Sequence, residues 1–150
     1  MMKSKRFEPI HEIASSSAND LSRAMADAGR KVSDLERQLE QLNSYRDEYV
    51  RNSQTKGTMD AVKLQNYRSF LDRLGEALHQ HQKSLENARN EFERRRTLWS
   101  EKRVEAESLN RVVDRFRREE RNAAERREQR EGDDAAMRLM LAARAESGNS

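Results

Sequence analysis

The sequence predicts an all-α protein: a long antiparallel two-helix coiled-coil hairpin with unequal arms and a mobile C-terminal tail. Three observations predict it. First, only 34% of the 150 residues are hydrophobic and 38% are charged, whereas globular domains are roughly 45–50% apolar. So small an apolar share cannot build a compact core of the usual size, because the entropy of ordering the chain would go uncompensated. Second, the apolar residues recur at alternating steps of three and four, which gathers them on one narrow stripe of a helix. Third, one polar stretch divides two such series.

The 30 Lys and Arg are nearly matched by 27 Asp and Glu, for a net charge of +3. Disordered chains usually combine low hydrophobicity with high net charge. Here the two signs interleave, as on the solvated faces of long helices. The start, Met1 to Arg6, is basic with no apolar run behind it, so no secretory signal is expected. No window approaches the ~18 apolar residues of a membrane span.

Arm one is expected over about 9–51, with Pro9 in its first turn, where a missing N–H costs nothing. Its stripe reads Ala14, Ala18, Leu21, Met25, Ala28, Val32, Leu35, Leu39, Leu42, Arg46, Tyr49. The turn is expected over about 52–58, where Gly57 can adopt the positive φ that reverses a chain. A continuous helix or a parallel dimer is the competing arrangement. Arm two is expected over about 59–131 and carries Leu64, Tyr67, Leu71, Leu74, Leu78, His81, Leu85, Ala88, Phe92, Arg95, Trp99, Lys102, Ala106, Leu109, Val113, Phe116. The two arms make one hairpin domain over residues 1–131. Setting Tyr49 opposite Leu64 places Leu21 opposite Phe92 and Val32 opposite His81. Arm one then ends short of arm two, leaving Leu109, Val113 and Phe116 without intramolecular cover. They are therefore the expected contacts for a partner. Gly132 is expected to end the second helix, with a tail over 132–150. Asp133 or Asp134 would cap a short helix from Ala135 to Arg144 that displays Met137, Leu139, Met140 and Leu141.

Catalytic chemistry finds no foothold. The chain has no cysteine, no glycine-rich phosphate loop and no serine on a nucleophile elbow. His79 and His81 are two apart, so they diverge on a helix and do not share a metal. No catalytic residue, cofactor, metal or small-molecule ligand is expected. The pI of 9.4 invites a nucleic-acid reading, but acidic residues sit among the arginines and no base-stacking platform accompanies them. One feature exceeds a generic coiled coil. A second stripe beside the seam, near the turn, joins Gln38, Leu42, Tyr45 and Tyr49 on arm one to Phe70, Leu74, Ala77 and His81 on arm two. Tyr45 and Phe70 fall at its edge, where two partly exposed aromatics could anchor a partner.

The run Gln38-Leu39-x-x-Leu42-x-x-Tyr45-Arg46-x-Glu48-Tyr49 resembles the signature of the FliJ family, small coiled-coil proteins of the bacterial flagellar type III export apparatus. Phe70-Leu71-x-x-Leu74-x-x-Ala77-x-x-x-His81 is similar to the second arm of that family. Trp99-x-x-Lys102-Arg103 and the Arg/Glu-rich stretch to Gln129 are similar to its later part. The resemblance implies a non-enzymatic, stalk-like rod that binds the hexameric export ATPase FliI and contacts FliH. It also implies engagement of the cytoplasmic domain of the export gate FlhA and of export chaperones. The expected location is the cytoplasm, peripheral to the inner membrane at the flagellar base. The stripe Gln38, Leu42, Tyr45, Tyr49, Phe70, Leu74, Ala77, His81 then coincides with the family's gate-binding face, and Leu109, Val113 and Phe116 are the candidates for the ATPase ring. The equivalent stalk protein of an injectisome and a generic coiled-coil scaffold are the alternatives.

Overall fold

A computed structural model of the chain describes residues 2–55 and 57–148. It is all-helical: α1 spans Lys3–Thr55 and α2 spans Ala61–Gly148, and the two pack as an antiparallel hairpin of unequal arms. The expected two arms and single turn are present.

The turn is shorter than expected, because α1 continues to Thr55. Lys56, inside the expected turn, lies outside the described residues. Gly57 takes φ +78°, a left-handed conformation that costs an L side chain about 1–2 kcal/mol and glycine almost nothing. Asp60 then starts α2. Its Oδ1 accepts the Lys63 amide at 2.8 Å and its carbonyl accepts the Leu64 amide at 3.0 Å. This is an N-cap: a side-chain oxygen satisfies an amide that has no partner within the helix.

Two further boundaries differ from expectation. Helix α1 begins at Lys3, so Pro9 lies inside the helix rather than in its first turn. Gly132 does not end α2, which runs through it to Gly148. A lone glycine costs only about 1 kcal/mol in a helix, and the flanking Arg130, Glu131, Ala135 and Ala136 continue one readily. Asn149 and Ser150 of the expected tail lie outside the described residues.

The chain divides into two units, Ser17–Lys102 and Met1–Ser16 with Arg103–Ser150. In the first, Ala18, Leu74, Leu78, Leu85 and Ala88 are buried. The Phe92 ring packs on Gly29, where an added Cβ would sit 3.3 Å from its Cε2. Phe92 therefore faces Gly29, not Leu21. Likewise Tyr49 lies against Tyr67 and Phe70 rather than Leu64, and His81 lies beside Gln38 and Leu42 rather than Val32. The partners are displaced by three to ten residues, centred near one heptad. A slip of one heptad returns the same stripe to the same face, so periodicity cannot choose between the two registers. The realised one seats the Phe92 ring on Gly29, next to the seam residue Ala28.

In the other unit, Ser4, Ala14, Ala106 and Val113 are buried, Val113 most completely at 1% exposure. The Phe7 and Phe116 rings lie 5.3 Å apart at 41°. The expectation that Leu109, Val113 and Phe116 lack cover is therefore wrong. The realised register carries α1 further along α2 than expected, and the six residues before Pro9 reach Phe116, Arg117 and Glu120.

Candidate partner-binding site

The stripe near the turn is built where the end of α1 meets the start of α2. Tyr45 and Tyr49 stand four apart on α1 and so share a face; both reach Phe70 on α2. Tyr49 and Phe70 have ring centroids 4.4 Å apart at 43°, and Tyr45 meets Phe70 edge-on at 6.2 Å and 71°. These are the tilted and edge-to-face geometries that ring quadrupoles favour. Tyr67 stacks on the Tyr49 ring at 5.5 Å and 17°.

The eight stripe residues differ in what they offer a partner. Tyr45 is 52% exposed although its ring edge is fixed by Phe70, so it presents a rigid, half-bare aromatic face. Tyr49, Phe70, Ala77 and Leu42 are half-buried, and Gln38 is exposed. Leu74 is 8% exposed and belongs to the seam, where it supports the stripe without a surface of its own. Gln38, Leu42 and His81 line a shallow recess together with Gln41. The Nδ1 of His81 is buried without a hydrogen-bond partner.

Two members escaped the sequence reading. Tyr67 sits at a heptad position and reads as ordinary seam, yet it completes the aromatic cluster. Gln41 is off the stripe and enters the recess only because the register brings His81 beside it. The ATPase-ring candidates fare differently. Leu109 and Phe116 are half-buried, while Val113 has almost no surface to present. The overhang that suggested all three is absent. In the same unit, Met137, Leu139, Met140 and Leu141 are each more than half exposed.

Around these apolar features the surface is laced with ion pairs. Arg89 reaches Glu36 across the helices at 3.2 Å. Glu91 accepts from Arg94 at 2.7 and 3.0 Å and from Arg95 at 2.8 Å. Those hydrogen bonds, from Arg94 and then Arg95, lower its pKa from 4.5 to about 2. Such exposed pairs support helix geometry with modest energy. Among the described residues no group of three His, Asp or Glu is arranged to hold a metal ion, and no helix is long and apolar enough to cross a membrane.

A sequence model described as Flagellar FliJ protein matches residues 2–145 of this chain. Neither a curated protein nor a solved structure matches it.

Proposed function

The chain belongs to the FliJ family of flagellar proteins, and from that premise we propose that it is a stalk-like linker between the export ATPase and the export gate. Membership makes it a non-catalytic component of the flagellar export apparatus. The finer reading is that it binds the FliI hexamer, contacts FliH and export chaperones, and engages the cytoplasmic domain of FlhA. It would act in the cytoplasm, peripheral to the inner membrane at the flagellar base. It makes and breaks no bond. Its action is to hold two partners at fixed positions so that the state of one biases the other.

The observation that carries the gate assignment is the half-exposed Tyr45 ring braced by Phe70. Aromatic side chains held in one rotamer are the usual anchors of protein interfaces, because they bury much area and lose little entropy. Tyr45 and Phe70 would make the direct contacts, with Gln38, Leu42, Tyr49, Ala77 and His81 completing the face and Leu74 supporting it from within. For the ATPase ring, the half-buried Leu109 and Phe116 are retained as contacts and Val113 is not. The test is a titration of the chain against the soluble domain of the gate. Tyr45→Ala and Phe70→Ala should each weaken binding by about thirtyfold, the equivalent of an interface anchor, with helicity unchanged. Equal affinity for all three proteins would remove the stripe from the interface.

A further inference from the structure

The first six residues of α1 are poorly suited to being helical by themselves. Their first turn is Lys3-Ser4-Lys5-Arg6, with no acidic residue. Three cations therefore crowd the end of a helix that already carries positive partial charge. Met2, whose carbonyl accepts the first helical bond from Arg6, stands at the N-cap and has no side-chain acceptor to offer. Downstream, Pro9 lacks an N–H, so the Lys5 carbonyl has no helical donor and Glu8 is biased away from helical backbone. The segment is disfavoured at its start and weakly joined at its end.

What compensates comes from α2. Glu120 accepts the Ser4 amide at 3.0 Å and the Ser4 hydroxyl at 2.6 Å. It supplies the anion and the acceptor that the first turn lacks. Ser4 is only 5% exposed, although it is polar. One turn along, Glu8 pairs with Arg117 at 2.5 Å. Between these contacts Phe7 covers Phe116, with the Lys3 ammonium 5.5 Å from the centre of the same ring. Val113, three residues before Phe116, is the most buried large side chain described.

We infer that residues 3–8 form a detachable strap, hinged at Pro9 and latched by Glu120, that covers the apolar stripe of α2 at Phe116. When latched, the segment is helical and the stripe is closed. When the latch opens, the strap loses the cap that Glu120 supplies and unwinds as far as the hinge, and the Phe116 ring is uncovered. The device stands independently of the export reading, since it rests on contacts inside one unit. The carboxylate is held below its usual range, first by the Ser4 hydroxyl, then by the Ser4 amide, with weaker help from Arg117 and Lys5. Asp114, Arg118 and Arg121 line the same surface. A lowered pKa in the latched state means that the latch is complete above the ordinary carboxylate value. It is lost as pH falls through the lowered one.

The test is amide hydrogen exchange on the full chain, comparing wild type with Glu120→Gln and Ser4→Ala. Exchange at Arg6, Phe7 and Glu8 should be about tenfold faster in both variants, the scale expected when a charge-assisted pair of hydrogen bonds is broken. Amides within residues 17–102 should be unchanged. Pro9→Ala removes the hinge and should slow exchange at the same three amides. Unchanged exchange at Arg6 to Glu8 would overturn the latch. Equal acceleration there and across residues 17–102 would overturn the strap as a separate unit.

Discussion

Val113 is where the structure and a simple reading of the arms disagree most, so its truncation is the most informative stability measurement. In the register that sets Tyr49 opposite Leu64, Val113 would lie in solvent beyond arm one and Val113→Ala would be nearly silent. Instead it is 1% exposed. Replacing Val by Ala removes two carbons at about 0.8 kcal/mol each, and the cavity left behind adds to that. The expected loss is about 2–3 kcal/mol. Val104 is the control, on the same helix and 55% exposed; its truncation should stay within about 0.5 kcal/mol. Guanidinium unfolding followed by helical circular dichroism measures both, with an unchanged denaturant slope as the sign that only stability moved. Two variants within about 0.5 kcal/mol of each other would refute the covered seam and restore the overhang.

Other consequences are equally open to measurement. Gly57→Ala should cost about 1 kcal/mol through its positive φ alone, since nothing lies within 4 Å of an added Cβ; an unchanged unfolding midpoint would contradict the left-handed turn. Asp60→Ala should cost about 1 kcal/mol and speed amide exchange at Lys63 and Leu64. Gly29→Ala sets a helix-propensity gain of about 1 kcal/mol against crowding of the Phe92 ring at 3.3 Å. The same change in a Phe92→Ala background should be more favourable, and strict additivity in that cycle would mean that the two residues do not meet. The Glu91 carboxyl should titrate near 2, as its lowered pKa requires. Its pairing with Arg94 and Arg95 is therefore present above the ordinary carboxylate value and lost as pH falls through about 2. Carbon-detected NMR of Glu91 in an Arg94→Gln/Arg95→Gln variant should show the midpoint return to the ordinary range.

The arms, the turn and the face along which they meet were all legible in the sequence, because each is encoded by spacing. A stripe at steps of three and four has one meaning on a helix, and a polar gap with Gly57 between two stripes has few. Register was not legible for the same reason. The pattern repeats every seven residues, so Leu21 and Ala28 present themselves to Phe92 almost equally, and spacing does not choose between them. The stripe near the turn was legible as a pattern: Leu74 falls on the seam series and is 8% exposed, while Tyr45 falls at the edge and is 52% exposed. The ring contacts that brace Tyr45 depend on register and were not legible.

Pro9 concealed more than any other residue. Read by local rules, it marks a first turn, and the basic residues ahead of it look like a solvated start. Those rules weigh only what lies within a few positions of a helix end: an acid in the first turn, an oxygen at the N-cap. The group that makes Lys3 to Glu8 helical is Glu120, 116 positions away. On the sequence it is one more acid in an Arg/Glu-rich run whose members otherwise face water. Its partner Ser4 sits in a first turn with no acid of its own, and that deficiency was the legible sign that an anion must come from elsewhere. The same pairing accompanies Phe7 over Phe116, so the apolar stripe there does not end in solvent. Cover, cap and hinge are three aspects of one docking event, and none of them is visible until the two helices are brought into register.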